Sequence, residues 1–317
     1  MISLMKELDG AKTVAITGHV RPDGDCAGST LGLYNYLKEN MPQLEVDIYL
    51  EPIEKSFMFL ANSDDVKHSS DGDKIYDVFV VLDCGDLGRV ATFTVDLIHN
   101  AKKTICIDHH VTSLNFADIN HVLPQIGSAS EVLYELLDSD KISKEVAECL
   151  YLGMIHDTGV FKYQSTTKRT MEIAGILMEK GIDFTKIIDD TFFRKGYLQN
   201  KLLGQALLDS ELLLNGNLIF SYLPLKTLNK YGVPGRELGG VIDQLRFTEG
   251  VQVAMFIYDL PDGSAKVSLR SVDYVDVNKV ANEFGGGGHI RAAGFTIKMP
   301  ITEIVNKVSE LVAAQLK

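Results

Sequence analysis

No stretch of the 317 residues stays apolar for the roughly 20 positions that a membrane-crossing helix needs. The opening Met1–Asp9 reads as an amphipathic helix start without the basic, apolar and cleavage regions of a signal peptide. A cytoplasmic protein with no membrane partner is therefore expected. Cysteine is scarce: Cys26, Cys84, Cys106 and Cys149 show neither C-x-x-C spacing nor the density of a disulfide scaffold. They are expected as small apolar fillers near strand ends, although Cys26 and Cys84 lie beside candidate ligands and leave a thiolate site as a lesser alternative. Basic residues are outnumbered, 31 Lys and Arg against 43 Asp and Glu, for a formal net charge of −12. That balance argues against binding along a long duplex or other extended polyanion, and leaves room for a short phosphorylated ligand in a local cationic pocket. H-E-x-x-H is absent, which excludes a zincin, and Asp23-Gly24-Asp25 lacks the downstream glutamate of an EF-hand. There is no internal repeat, and no low-complexity segment beyond Gly285–Gly288.

What is present is enough chain for two domains, one larger and one smaller. Residues 1–185 alternate apolar runs with helical patterns, as a parallel α/β sheet does. Strands are expected at Lys12–Thr17, Leu44–Leu50, Asp77–Leu82 and Thr104–Ile107, and helices at Ser128–Leu137 and Ser143–Ile155. Residues 168–209 read as almost wholly helical, with segments Thr170–Lys180, Asp183–Arg194 and Tyr197–Ser210; 186–210 is taken as a helical connector. Residues 211–317 read as an α+β domain. It contains hairpins at Glu211–Leu214 with Leu218–Leu223 and at Val251–Tyr258 with Ala265–Arg270, and helices near Arg236–Leu245, Asp276–Phe284 and Ile304–Gln315.

Three of the first-domain strands share an ending. The first runs into Gly18-His19 and the turn Asp23-Gly24-Asp25, the third into Asp83, and the fourth into Asp108-His109-His110. In open α/β sheets ligands bind outside the carboxyl ends of the strands, so the three clusters are expected to converge. Asp157 joins them from the end of a helix, where a carboxylate opposes the helix dipole unless a cation offsets it. Singly, Asp83 reads as a turn residue and His109-His110 as loop histidines; jointly they make a ligand set for two metals. Asp83 could bridge two cations, with His19 and Asp23 on one side and His109, Asp157 and Asp25 on the other. Mixed nitrogen and oxygen donors favour manganese, or iron or cobalt, over magnesium or calcium.

These residues carry a resemblance. His19-x-x-x-Asp23-x-Asp25-x-x-Gly28-Ser29, Asp83, Asp108-His109-His110 and Asp157-Thr158-Gly159 resemble, in order, the four motifs of the DHH phosphoesterase superfamily. Gly285-Gly286-Gly287-Gly288-His289-x-x-Ala292-Ala293-Gly294 resembles the glycine-rich signature of the associated DHHA1 domain. The compact two-domain length is similar to the nanoRNase/pAp-phosphatase branch, which acts on very short RNA and on 3′-phosphoadenosine 5′-phosphate (pAp).

The resemblance implies a parallel-sheet DHH domain followed by a smaller α+β DHHA1 domain, and two Mn2+ ions, with Mg2+, Co2+ or Fe2+ as alternatives. His19, Asp23 and Asp83 would hold one ion; Asp25, Asp83, His109 and Asp157 the other. His110 would face the scissile phosphate, with Asp108 orienting a neighbouring imidazole, a division between His109 and His110 that rests on the resemblance alone. Substrate contacts are expected from Arg270 and Ser271, from Gly286, Gly287 and Gly288 with His289 and Arg291, and from Arg89. The expected partner is short single-stranded RNA or a small phosphorylated nucleotide, and the sequence is compatible with a homodimer. The alternatives are a cyclic di-AMP or pApA phosphodiesterase, a pyrophosphatase or exopolyphosphatase, and a nucleotide-binding regulator without turnover.

Overall fold

Runs rich in β-branched residues, closed by polar or glycine turns, form most of the strands of the first unit. In the computed structural model, which describes residues 4–70, 73–232, 238 and 240–317, these are β1 (Thr13–Thr17), β2 (Glu45–Tyr49), β3 (Val78–Leu82), β4 (Thr104–Asp108) and β5 (Ile119–Val122). They form one sheet in the order β2-β1-β3-β4-β5, with every neighbouring pair parallel. The helices are α1 (Leu4–Glu7), α2 (Gly24–Asn40), α3 (Val95–Asn100), α4 (Ala129–Leu136), α5 (Lys144–Asp157), α6 (Lys168–Glu179) and α7 (Phe184–Ile188). Strand order reverses between β1 and β3, and a crevice opens at such a point at the carboxyl ends of the strands. Four strands fall where the apolar runs predict them. The fifth was not expected: β5 is a four-residue edge strand, half-buried throughout, whose polar Asn120 and His121 hide it.

Ser128 and Ser143 start α4 and α5 as N-caps, accepting from Glu131 N at 3.0 Å and Val146 N at 3.2 Å. The expected single helix Asp183–Arg194 is instead the short α7 followed by a π-helical turn, Asp189–Phe193. The two compact units meet in sequence at Arg194 and Lys195, so the stretch 186–210 divides between them.

The second unit contains β6 (Glu211–Leu213), β7 (Leu218–Leu223), β8 (Val253–Asp259), β9 (Ala265–Ser271), β10 (Gly287–His289) and β11 (Ala292–Ile297), in the order β10-β11-β9-β8-β7-β6. Only β7 and β8 pair in parallel. Its helices are α8 (Tyr197–Leu208), α9 (Leu225–Tyr231), α10 (Val241–Arg246), α11 (Val277–Asn282) and α12 (Ile301–Ala313). Both expected hairpins form; α9, β10 and β11 are additional. Of the first turn of the helix expected from Arg236, Arg236, Glu237 and Gly239 lie outside the described residues. No helix among the described residues is long and apolar enough to cross a membrane.

The crossing of α2 with α5 places the first ligand turn. From Gly24 to Leu37 every residue of α2 is buried, and burying each leucine there contributes about 1.5–3 kcal/mol. The backbones touch at Gly28, where a Cβ would lie 2.5 Å from Cys149 O and 2.8 Å from Gly153 N. Gly28→Ala is therefore expected to cost about 1–3 kcal/mol through overpacking. Gly175→Ala, in α6 with nothing within 4 Å of an added Cβ, is expected to add about 0.5–1 kcal/mol. Thermal unfolding followed by circular dichroism reads both, and shifts of the same sign would refute the close-approach argument.

Candidate metal centre

Each side chain of the centre is delivered by the end of a regular element. His19 follows β1, and its Nδ1 lies 2.9 Å from Val20 O, which turns Nε2 inward. Asp23 caps α2: its Oδ1 accepts from the Asp25 and Cys26 amides, both at 3.1 Å. Asp25, in the first turn of that helix, is fully buried, and its carboxylate accepts from Ala129 N at 2.6 Å and Ser130 N at 2.9 Å, the first amides of α4. Asp83 leaves β3 at φ 52°, a left-handed backbone that an aspartate tolerates better than a β-branched residue. His109 follows β4 and sets its Nδ1 3.3 Å from Ile126 O. Asp157 closes α5.

These six converge. His19 Nε2 is 3.5 Å from Asp23 Oδ1 and 3.3 Å from Asp83 Oδ2. His109 Nε2 is 3.5 Å from Asp83 Oδ1, 3.0 Å from Asp157 Oδ2 and 3.8 Å from Asp25 Oδ2. The two oxygens of Asp83 thus face different imidazoles. His110 stands at the edge of this ring of donors, half-buried, with Nδ1 2.7 Å from Oδ1 of the buried Asp108 and 3.7 Å from Asp83 Oδ1. Asp108 accordingly orients His110 and leaves its Nε2 for another partner.

The charge balance is unusual for a buried site. Burial opposes a charge on His19 and His109, yet Asp23 and Asp83 hold the first near 10, and Asp157 and Asp83 hold the second at about 11. Burial, with Asp83 and Asp157 nearby, pushes the Asp25 carboxyl well up; burial and Asp83 raise Asp157 despite its bond to His109. Asp23 goes the other way: burial opposes its charge, but the bond to His19 takes it to about 2. The bond from Asp108 raises His110. Asp83 Oδ1 and His109 Nε2 are buried and held by charge pairing alone, without a well-aligned hydrogen bond, and a buried polar group left without one normally costs about 1–3 kcal/mol. Three donor groups, His19–Cys26–Asp83, Asp83–His109–His110 and Asp25–His109–Asp157, each have ligand atoms within 4.8 Å of one another. Cations fit this donor set. Burial pushes the Cys26 thiol well up, which keeps it protonated beside the carboxylates rather than a thiolate.

The remaining expected residues are brought together elsewhere. Arg89 ends a short turn after Asp83, and its carbonyl accepts from Val20 N at 2.7 Å. In the second unit Arg270 pairs across the sheet with Ala292, which also pairs with His289, while Ser271 N donates to Arg291 O at 3.0 Å. Arg270, Ser271, Gly287, Gly288, His289 and Arg291 therefore gather at one end of the β9-β11-β10 strip. Arg270 Nε stands 4.0 Å from Asp243 Oδ1, and Arg291 Nη1 donates to Val275 O at 3.3 Å. A Cβ at Gly286 would strike Gly294 O and one at Gly288 Ala292 O, so the hairpin itself requires these glycines. Sequence reasoning missed the backbone partners of the centre: Val20 O, Ile126 O and the α4 amides. No residue type encodes a carbonyl or an amide, and only the helix expected from Ser128 placed a helix start in that neighbourhood.

Residues 13–154 match the family model "DHH family, N-terminal domain" and residues 215–317 the "DHHA1 domain". The chain is 31% identical over 300 residues, 92% of each chain, to a Streptococcus mutans protein named "Probable bifunctional oligoribonuclease and PAP phosphatase NrnA". It is 28% identical over 318 residues to the Thermus thermophilus "Bifunctional oligoribonuclease and PAP phosphatase NrnA", covering 99% of this chain and 92% of that one. Among solved structures it resembles an exopolyphosphatase-related protein from Bacteroides fragilis, with a TM-score of 0.88, 26% identity, and coverage of 98% of this chain and 94% of the other.

In the metal-free centre His19 and His109 carry protons at neutral pH, because their pKa values of about 10 and 11 lie above it. Each must lose a proton to offer Nε2 to a cation, so cation uptake releases protons and weakens as pH falls. The apparent manganese affinity should rise with pH between about 6 and 9, by about tenfold per pH unit for each proton released. Calorimetric titration in two buffers of different ionisation enthalpy counts those protons; an affinity independent of pH would contradict the charge balance described.

Proposed function

Because the chain belongs to the DHH/DHHA1 phosphoesterase family, in its NrnA-like branch, we propose that it hydrolyses oligoribonucleotides of a few residues and pAp, using two cations held around Asp83. It is a phosphate-ester hydrolase, an enzyme rather than a binding module. The observation that carries the two-cation reading is the Asp83 carboxylate, which faces His19 with one oxygen and His109 with the other, the latter oxygen buried without a well-aligned hydrogen bond. His19, Asp23 and Asp83 would hold one ion; Asp25, Asp83, His109 and Asp157 the other. Such ions, manganese being the first choice for mixed imidazole and carboxylate donors, supply a water nucleophile at neutral pH and neutralise charge developing on the phosphate.

The side chains divide the remaining work. The α4 amides and Val20 and Ile126 carbonyls fix Asp25, His19 and His109, so the donors need little reorganisation when a phosphate arrives. Asp108 accepts from Nδ1 of His110 and favours its protonated form, leaving an Nε2–H to donate to a phosphate oxygen or to the departing ester oxygen. Water adds to phosphorus, the ester P–O bond breaks, and the leaving oxygen takes a proton. The substrate reading is supported by the NrnA-named relatives, which this chain matches over nearly their whole length, and by a net charge of −12 that disfavours long polyanions. Arg270, Ser271, His289 and Arg291, gathered in the second unit, are the proposed contacts to nucleotide phosphate or base.

Offered pAp, pApA, cyclic di-AMP, a pentaribonucleotide and pyrophosphate in parallel with manganese, the protein should release product from pAp and the short RNA. Asp83→Ala should fall by more than about a hundredfold, beyond the loss typical of a residue that only supports a ligand. Turnover of the cyclic dinucleotide alone would replace the substrate reading; binding of nucleotides without turnover of any of the five would overturn the enzyme reading.

A further inference from the structure

The residue immediately before the ligand Asp157 is a second histidine, His156, whose ring packs against Phe57, Phe192 and Thr191. It lies directly under the turn that carries Asp23 and Asp25. A Cβ on Gly24, the residue between these aspartates, would fall onto the His156 ring, 2.5 Å from Cδ2 and 2.6 Å from Nδ1 and closer still to Cγ. Gly24 is the first residue of α2 and has an ordinary helical backbone, so the turn needs glycine for contact with this imidazole rather than for its φ. The ring is held edge-on between Phe57, with centroids 5.2 Å apart at 89°, and Phe192, at 5.7 Å and 75°. Its Nε2 lies 3.2 Å from Thr191 Oγ1.

That hydroxyl fixes the sense of the bond. Thr191 Oγ1 donates its own hydrogen to Ile187 O at 2.7 Å, so towards His156 it acts as acceptor and the imidazole carries its proton on Nε2. Thr191 and Phe192 are successive residues of the π-helical turn Asp189–Phe193, and the wider winding of that turn brings both onto one ring. π-Turns interrupt helices at a cost and occur disproportionately at functional sites.

We propose that His156 is a positioning residue for the metal centre. Clamped by Phe57, Thr191 and Phe192, it sets the height of the Asp23-Gly24-Asp25 turn and, through the chain, the direction of Asp157. One rigid ring thereby fixes ligands on both sides of Asp83, and the π-turn serves to hold that ring. The inference rests on the metal-centre reading above. Thr191 is the informative position, because its hydroxyl bonds His156 and Ile187 O and, among the described residues, none of the six donor side chains.

Thr191→Val keeps the shape but removes the acceptor, and should weaken manganese binding by about tenfold or more, the loss usual for a partner that orients a ligand. Thr191→Ser keeps the hydroxyl and should bind within about twofold of wild type by the same measure. Gly24→Ala should lose manganese, and His156→Ala in the same chain should restore part of the affinity by vacating the space that the new methyl enters. Free Mn2+, read from its electron paramagnetic resonance signal, gives each affinity without turnover, and circular dichroism shows that each variant is folded. A folded Thr191→Val that binds as tightly as wild type, or a Gly24→Ala defect that His156→Ala leaves untouched, overturns the inference alone. A wild-type protein that binds no manganese overturns the metal-centre reading and this inference with it.

Discussion

The structure depends on one arrangement of charge: the carboxylate of Asp83, buried at the carboxyl end of β3 and flanked by an imidazole on either side. An aspartate in that position, with Asp25 and Asp157 close by, would repel its neighbours and strand polar atoms unless positive charge is supplied. His19 and His109 supply it as protons when no cation does. The reversal of strand order between β1 and β3 makes the arrangement possible, because it opens a crevice where His19 from one strand and Asp83 from the other meet at 3.3 Å.

Around this core of charge the protein uses main chain as a scaffold. Asp25 is fixed by two amides of α4, His19 by the carbonyl of Val20 and His109 by that of Ile126. Main-chain partners move less than side chains and titrate not at all, so the inward direction of each Nε2 is preserved across pH. Asp108 and His110 instead form a pair of side chains at the edge of the ring, where the half-buried His110 can meet a ligand.

Much of the first unit was legible because its strands end where their chemistry begins. Val14–Thr17 and Val78–Leu82 are apolar enough to be strands by themselves, and the polar residues that follow them had to lie at one edge of a parallel sheet. Position along the chain could not say which residue would orient which: that Asp108 turns to His110 rather than His109 is a matter of side-chain direction within one turn, and that Asp25 reaches α4 is a fact of packing between segments far apart in sequence. β5 escaped notice because an edge strand with Asn120 and His121 has no apolar signature, and β10 because glycine-rich sequence signals flexibility while here it permits two strands to approach. The π-turn at Asp189–Phe193 has no residue pattern distinguishing it from an ordinary helix, so a continuous helix was the natural reading.

If Asp25 holds a cation as proposed, its bond to α4 would also tie metal occupancy to folding. Ala129 and Ser130 donate to a carboxylate that a cation would share, so whatever steadies Asp25 steadies the first turn of a helix lying more than a hundred residues away in sequence. By mass action, a cation that binds Asp25 only while it is bonded to α4 would suppress opening of that turn in proportion to its concentration. On that reading metal supply would govern more than turnover: a starved population would expose the start of α4 to proteases more often, and the amount of protein that survives in a cell would follow the availability of the ion.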